Sequence, residues 1–208
     1  MHTSTLAVGS LVALSEILHD PILVPLVSGA DVVVIPTAAA FTGPSEAAIA
    51  VANVLGDLDV RVEALMVTDR SASAEDYFAR RVGEADLVVL CDGSALHARA
   101  TWRATPLGEA IRAARRLIAV GSVAGVLGEA MIDPRGGAPT TGLNYRPGVV
   151  ICPPASDAQL SRTRTLVSSD LTLVVLGARG VLECVDATWR IVRDDDVVVT
   201  RGHDEVEL

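Results

Sequence analysis

The chain has no lysine: all 17 basic residues among its 208 are arginine. This excludes a lysine Schiff base, a phosphate-loop lysine and a Ser–Lys dyad. Aromatic residues are scarce as well, at 3%. A core must then be built from Ala, Val, Leu and Ile, the usual filling of a parallel sheet covered on both faces. Cysteine is limited to Cys91, Cys152 and Cys184, far apart in the chain. These positions give no metal-ligand spacing, and an odd number does not make a disulfide framework. No metal and no cofactor is expected. No apolar run reaches membrane-spanning length, because charge, Gly or Pro interrupts each one. Residues 1–9 lack a basic stretch leading into an apolar one, so a cytoplasmic protein is expected. Positive charge is in deficit, with a formal net charge of -9. That argues against nucleic acid or an anionic membrane surface as partner.

What is abundant is aliphatic: half of the residues are hydrophobic, and mean hydropathy is +0.43. This suits one domain, 1–208, with a large core. Along the chain apolar runs alternate with helical patterns. Strands are expected at residues 6–8, 31–36, 60–67, 85–90, 117–120 and 149–152. Helices are expected at 12–27 (broken by Pro21 and Pro25), 44–55, 73–82, 106–116, 123–132 and 157–168. Residues 37–42 and 133–142 read as loops. After residue 168 only short apolar runs remain, at 171–176, 181–185, 189–192 and 197–200. They are expected to form antiparallel strands at the edge of a mostly parallel sheet. The fold class predicted is three-layer α/β.

One segment carries the frame of a catalytic turn. Residues 117–120 lead into Gly121, then Ser122, Val123, Ala124 and Gly125. This is the G-x-nucleophile-x-G spacing of a strained strand-to-helix elbow. The central position is Val123, which cannot attack a carbonyl. Ser122 lies one residue early, and around so tight a turn one step aims a side chain elsewhere. If Ser122 were the centre, Val120 would stand where the turn wants glycine. Val123 is therefore expected to hold the strained conformation.

Other candidates lie at the ends of expected strands. Asp92, in Cys91-Asp92-Gly93-Ser94, presents a carboxylate where α/β folds bind ligands, or simply makes an Asp-Gly turn. Cys91 is a small core side chain on its apolar strand, or a reactive thiol at its end. His97 could approach the same crevice or lie on a helix surface. Arg162 and Arg164 could bind an anion or solvate a helix face. Asp194-Asp195-Asp196 reads as a turn.

Several of these segments together resemble the cyanophycinase and dipeptidase E family of serine peptidases. The matching pieces are Val33-Val34-Ile35-Pro36-Thr37-Ala38, Ala85 to Gly93, Thr105-Pro106-Leu107, Val120 to Val126, and the Arg162, Arg164, Leu166 helix. The resemblance implies a class I glutamine amidotransferase-like, flavodoxin-like fold. It also implies a serine nucleophile in the elbow, a histidine base after the sixth strand and an oxyanion hole at a glycine pair. Here Val123 stands at the serine position, and Ile151-Cys152-Pro153-Pro154-Ala155 offers no imidazole. The glycine pair has become Asp92-Gly93, followed by Ser94-Ala95. The expected protein is a catalytically degenerate relative that binds a small ligand or a protein partner. Its pocket would be lined by Cys91, Asp92, Gly93, Ser94, Gly121, Ser122, Val123 and Pro153. The alternative is a hydrolase of small acidic peptides with a displaced nucleophile such as Ser122 or Cys91. A homodimer is expected, because a domain so rich in aliphatic residues tends to expose an apolar patch that two-fold pairing covers.

Overall fold

The computed structural model describes residues 3–19, 27–202 and 204–208. Within them, strands β1 (Ser4–Val8), β2 (Asp31–Ile35), β3 (Arg61–Ala64), β4 (Leu87–Leu90) and β5 (Arg116–Val120) lie parallel. Strands β10 (Val181–Val185) and β11 (Thr188–Arg193) extend this sheet antiparallel at one edge, giving the order β11-β10-β1-β5-β4-β2-β3. The parallel strands are apolar throughout because both faces are covered. Leu6, Val8, Val32, Val34, Leu87, Val89, Ile118 and Val120 meet helices α1 (Leu11–Leu18) and α2 (Pro44–Leu55). Their neighbours in sequence, among them Ala7, Val33, Val88, Leu90, Leu117 and Ala119, face the opposite way. There they pack with the single turn α3 (Arg70–Ser73) and helices α4 (Asp76–Glu84), α5 (Ala95–Trp102) and α6 (Pro106–Ala113).

The remaining strands depart from the expected single sheet. Strands β8 (Val149–Cys152), β9 (Thr172–Leu176), β12 (Val197–Arg201) and β13 (Asp204–Glu205) form a second sheet, in the order β13-β12-β9-β8. The C-terminal runs are thus divided between two sheets, and β9 runs parallel to β8. Val149, Ile151, Val174, Leu176 and Val199 turn inward and join the core of the larger sheet. Val150, Cys152, Leu173 and Val175 face outward and pack with Leu160 of helix α7 (Asp157–Leu166).

Two further expectations are corrected, and one helix is added where none was assigned. The helix predicted over 123–132 is a 3-10 helix, Gly121–Leu127, followed by strand β6 (Ala130–Ile132). Strand β6 pairs with β7 (Pro139–Thr141), so the expected loop 133–142 contains one arm of a hairpin. Helix α5, for which residues 95–102 show no strong periodicity, forms on its Ser94 N-cap. Pro21, Pro25, His2 and His203 lie outside the described residues. No helix among those described is long and apolar enough to cross a membrane.

A buried arginine fastens the junction beneath α6. Arg146 is 7% exposed, and among the described residues no carboxylate pairs with it. Instead its guanidinium donates to Thr5 Oγ1 at 2.7 Å and to the carbonyls of Tyr145, Arg112 and Ala114. Burial holds its pKa below the usual arginine value.

Candidate functional site

The site forms where strands β4 and β5 end side by side. Strand β5 stops at Val120, and Gly121 follows with φ +64°. That left-handed conformation is strained for any residue with a Cβ. Val123 is not the strained residue: two positions into the 3-10 helix, with no positive φ, it is fully buried in the core. The elbow's special backbone position therefore belongs to Gly121. Glycine spacing alone misplaced it: Gly121 and Gly125 centre the frame on Val123, whereas β5 ends at Val120 and the left-handed residue is the first glycine itself.

Next to it, strand β4 runs through buried Cys91 into Asp92 and Gly93. Gly93 has φ +145°, and a Cβ there would stand 2.3 Å from the Ala38 carbonyl oxygen. Glycine lets this loop press against the segment after β2, where Ser94 N–H donates to the same carbonyl at 2.7 Å. The Ser94 hydroxyl then accepts from His97 N–H and caps α5.

This packing brings the exposed Asp92 carboxylate over Gly121. A Cβ at Gly121 would lie 2.2 Å from Asp92 Cγ and 2.3–2.4 Å from its two oxygens. Asp92 occupies the volume that a side chain at the elbow would need. Its Oδ1 accepts from Gly93 N–H at 2.7 Å and from Ser122 N–H at 2.8 Å. In an elbow hydrolase the oxyanion binds the N–H following the nucleophile and a second N–H from a neighbouring loop. Here Ser122 N–H follows the left-handed Gly121 and Gly93 N–H comes from the neighbouring loop. Both N–H groups end on Asp92 Oδ1.

A cavity of about 130 Å³ opens beside this arrangement, with Gly93, Ser94, Ser122, Met131, Ile151 and Pro153 among its walls. A second chamber of about 160 Å³ shares Ile132, Pro134 and Pro153 with it and continues past Cys152 to Thr163. Of the expected lining residues, Gly93, Ser94, Ser122 and Pro153 border the first cavity. Asp92 and Gly121 adjoin it through Ser122 and Gly93. Val123 and Cys91 point into the cores instead, Cys91 toward the α1 and α2 side.

The potential nucleophiles are poorly served. Burial pushes the Cys91 thiol up to about 12, with the nearby Asp92 charge adding to it. Cys152 is likewise pushed up to about 12 by burial, which Arg164 only partly opposes. Both are neutral thiols at physiological pH and weak nucleophiles. The Ser122 hydroxyl meets no base among the described residues. His97 directs Nε2 to the Thr68 carbonyl at 2.7 Å and packs edge-on against Phe41, with ring centroids 4.6 Å apart. His19 bonds the Ser15 carbonyl one helical turn back. Among the described residues no group of three or more His, Cys, Asp or Glu could hold a metal ion. Asp196 forms a turn with φ +65° and accepts from Ala178 N–H. Arg162 is exposed on α7.

Sequence reasoning missed Gly125, Met131, Ile132 and Pro134 as cavity walls. Gly136-Gly137 was the available sign of the turn in the hairpin that delivers the last three, but its second arm, Pro139–Thr141, carries no apolar run.

No protein-family model and no curated protein matches the sequence. Solved structures do match the fold. The crystal structure of a peptidase from an acI-B1 actinobacterium superposes with a TM-score of 0.79 at 22% identity, covering 100% of this chain and 94% of that one. A Listeria monocytogenes EGD-e protein assigned as a peptidase E superposes with a TM-score of 0.62 at 14% identity, covering 97% and 99% of the two chains. The fold is peptidase E-like. Both neighbours are matched over nearly their whole length, and each match takes in nearly all of this chain.

Proposed function

We propose that this peptidase E-like protein binds a small ligand or a partner in its crevice and does not hydrolyse peptides. One observation carries the proposal: Asp92 fills the side-chain volume at the elbow and accepts both N–H groups that would bind an oxyanion. A carboxylate already seated there opposes the negative charge that develops in acyl transfer. Gly121, at the strained position, supplies no nucleophile. The wall facing Ser122 includes Ile151 and Pro153, where the family resemblance implies a histidine base. Loss of nucleophile, base and free oxyanion donors would remove most of the rate enhancement such a site can supply.

We further propose a single-domain, cytoplasmic homodimer. In support, Val192 on β11, an edge strand of the larger sheet among the described residues, and Val198 on β12 are exposed aliphatics. Light scattering that returns a monomer mass across micromolar concentrations would overturn the dimer.

The test of the main proposal is direct. Purified protein is expected not to cleave aspartyl dipeptides or β-aspartyl-arginine, and a fluorophosphonate is expected not to label it. Stoichiometric labelling that disappears in Ser122→Ala would establish the alternative, a hydrolase with Ser122 as displaced nucleophile.

A further inference from the structure

Building on the non-hydrolytic proposal, we infer that the crevice selects a primary ammonium group carried on a short aliphatic body, inverting the charge preference of an oxyanion site. Both backbone donors end on Asp92 Oδ1. Oδ2 makes no hydrogen bond among the described residues, and no arginine there forms an ion pair with Asp92. The side chain is exposed, so a ligand can reach that oxygen. Gly93 and Ser122, the two residues that hold the carboxylate, also line the cavity of about 130 Å³. The remaining walls are apolar, with Met131, Ile132, Ile151 and Pro153, and carry only the Ser94 and Ser122 hydroxyls as side-chain polar groups.

Each ligand class meets a different fate there. A carboxylate or phosphate finds no free backbone donor and faces the Asp92 charge. A bare hydrocarbon finds nothing to orient it. An ammonium finds the exposed Asp92 carboxylate, held by Gly93 and Ser122 of the cavity wall, with apolar side chains in that wall for its alkyl chain. The volume equals roughly four waters, which suits a body of four or five heavy atoms. Isobutylamine has that size and is cationic at neutral pH.

The experiment is a titration of ¹⁵N-labelled protein at pH 7 and constant ionic strength, with isobutylammonium chloride in one arm and sodium isobutyrate in the other. The amine is expected to shift the Gly93 and Ser122 amide signals saturably, and isobutyrate to leave them in place. Asp92→Asn keeps the shape and removes the charge, and should weaken the amine by about tenfold or more. Asp92→Gly, with a dispersed spectrum showing that it folds, should release both N–H groups and bind isobutyrate in preference. Absence of an amine response, isobutyrate binding to the unmodified protein, or unchanged amine affinity in Asp92→Asn would each overturn the inference. If Asp92→Gly does not fold, the Asn variant decides alone. Peptide hydrolysis alongside intact amine binding would refute the non-hydrolytic proposal and leave this one standing. Failure of amine binding without hydrolysis would do the reverse.

Discussion

Substituting Gly121 by alanine tests the interlock between the elbow and Asp92. The new Cβ would start 2.2 Å from Asp92 Cγ, well inside contact distance. The backbone at φ +64° would also hold a residue that disfavours that region, at a cost of about 1–2 kcal/mol. To relieve the overlap Asp92 must swing outward, surrendering its bonds to Gly93 N–H and Ser122 N–H. The site is open to water, so each lost bond costs only about 1 kcal/mol. Gly121→Ala should therefore destabilise by about 3–4 kcal/mol, a large share of a typical domain's stability. Asp92→Ala alone forfeits the same two bonds, about 2 kcal/mol. In the double variant the bonds are lost once and the overlap is gone, leaving about 3–4 kcal/mol in total. The two substitutions should thus be coupled by about 2 kcal/mol rather than additive. Urea unfolding with an unchanged m-value measures all four corners of the cycle. A cost below about 1 kcal/mol for Gly121→Ala, or strict additivity, would refute the interlock.

Other expectations follow from the buried polar groups. Arg146→Met should destabilise by about 2–4 kcal/mol in the same assay, because Thr5 Oγ1 and the carbonyls it serves lose their donor in a buried setting. Thr105→Val should cost about 1–2 kcal/mol. Thr105 is 4% exposed, and its hydroxyl caps α6 through Gly108 N–H and joins Trp102 O and Ser73. Cys91 and Cys152 should resist Ellman's reagent at pH 8 until the protein unfolds, since both are buried neutral thiols. Their folded pKa values near 12 lie above the unfolded value near 9. The stabilisation is therefore complete below pH 9 and declines as pH rises toward 12. Replacing Cys91 by alanine should flatten that alkaline loss, which unfolding curves taken between pH 8 and 11 would show.

The sequence by itself determined the class of fold. Runs such as Asp31–Ile35 and Leu87–Leu90 are apolar on both faces, and only a sheet covered on two sides buries both. Proline at the start of residues 44–55 and threonine before Pro106 marked helix starts that the structure places within a residue. The Asp92-Gly93 pair and the Gly121 to Gly125 frame pointed to the right end of the sheet, because local backbone chemistry limits what a tight turn can contain.

Tertiary structure alone decided the rest. Short apolar runs such as Val149–Cys152 and Thr172–Leu176 look alike whichever sheet receives them, and long-range pairing assigned them to the second one. The 3-10 helix Gly121–Leu127 packs against α5, β8 and β6, neighbours that its own sequence does not reveal. Which residue of the elbow is strained depends on where β5 ends, and the two glycines, which centre their frame on Val123, do not show that. The seat of the Asp92 carboxylate over Gly121 depends on a contact across 29 residues of chain. Only folding brings Asp92 onto Gly121, since side-chain volume and hydrogen-bond direction at a site belong to three dimensions and not to spacing along one.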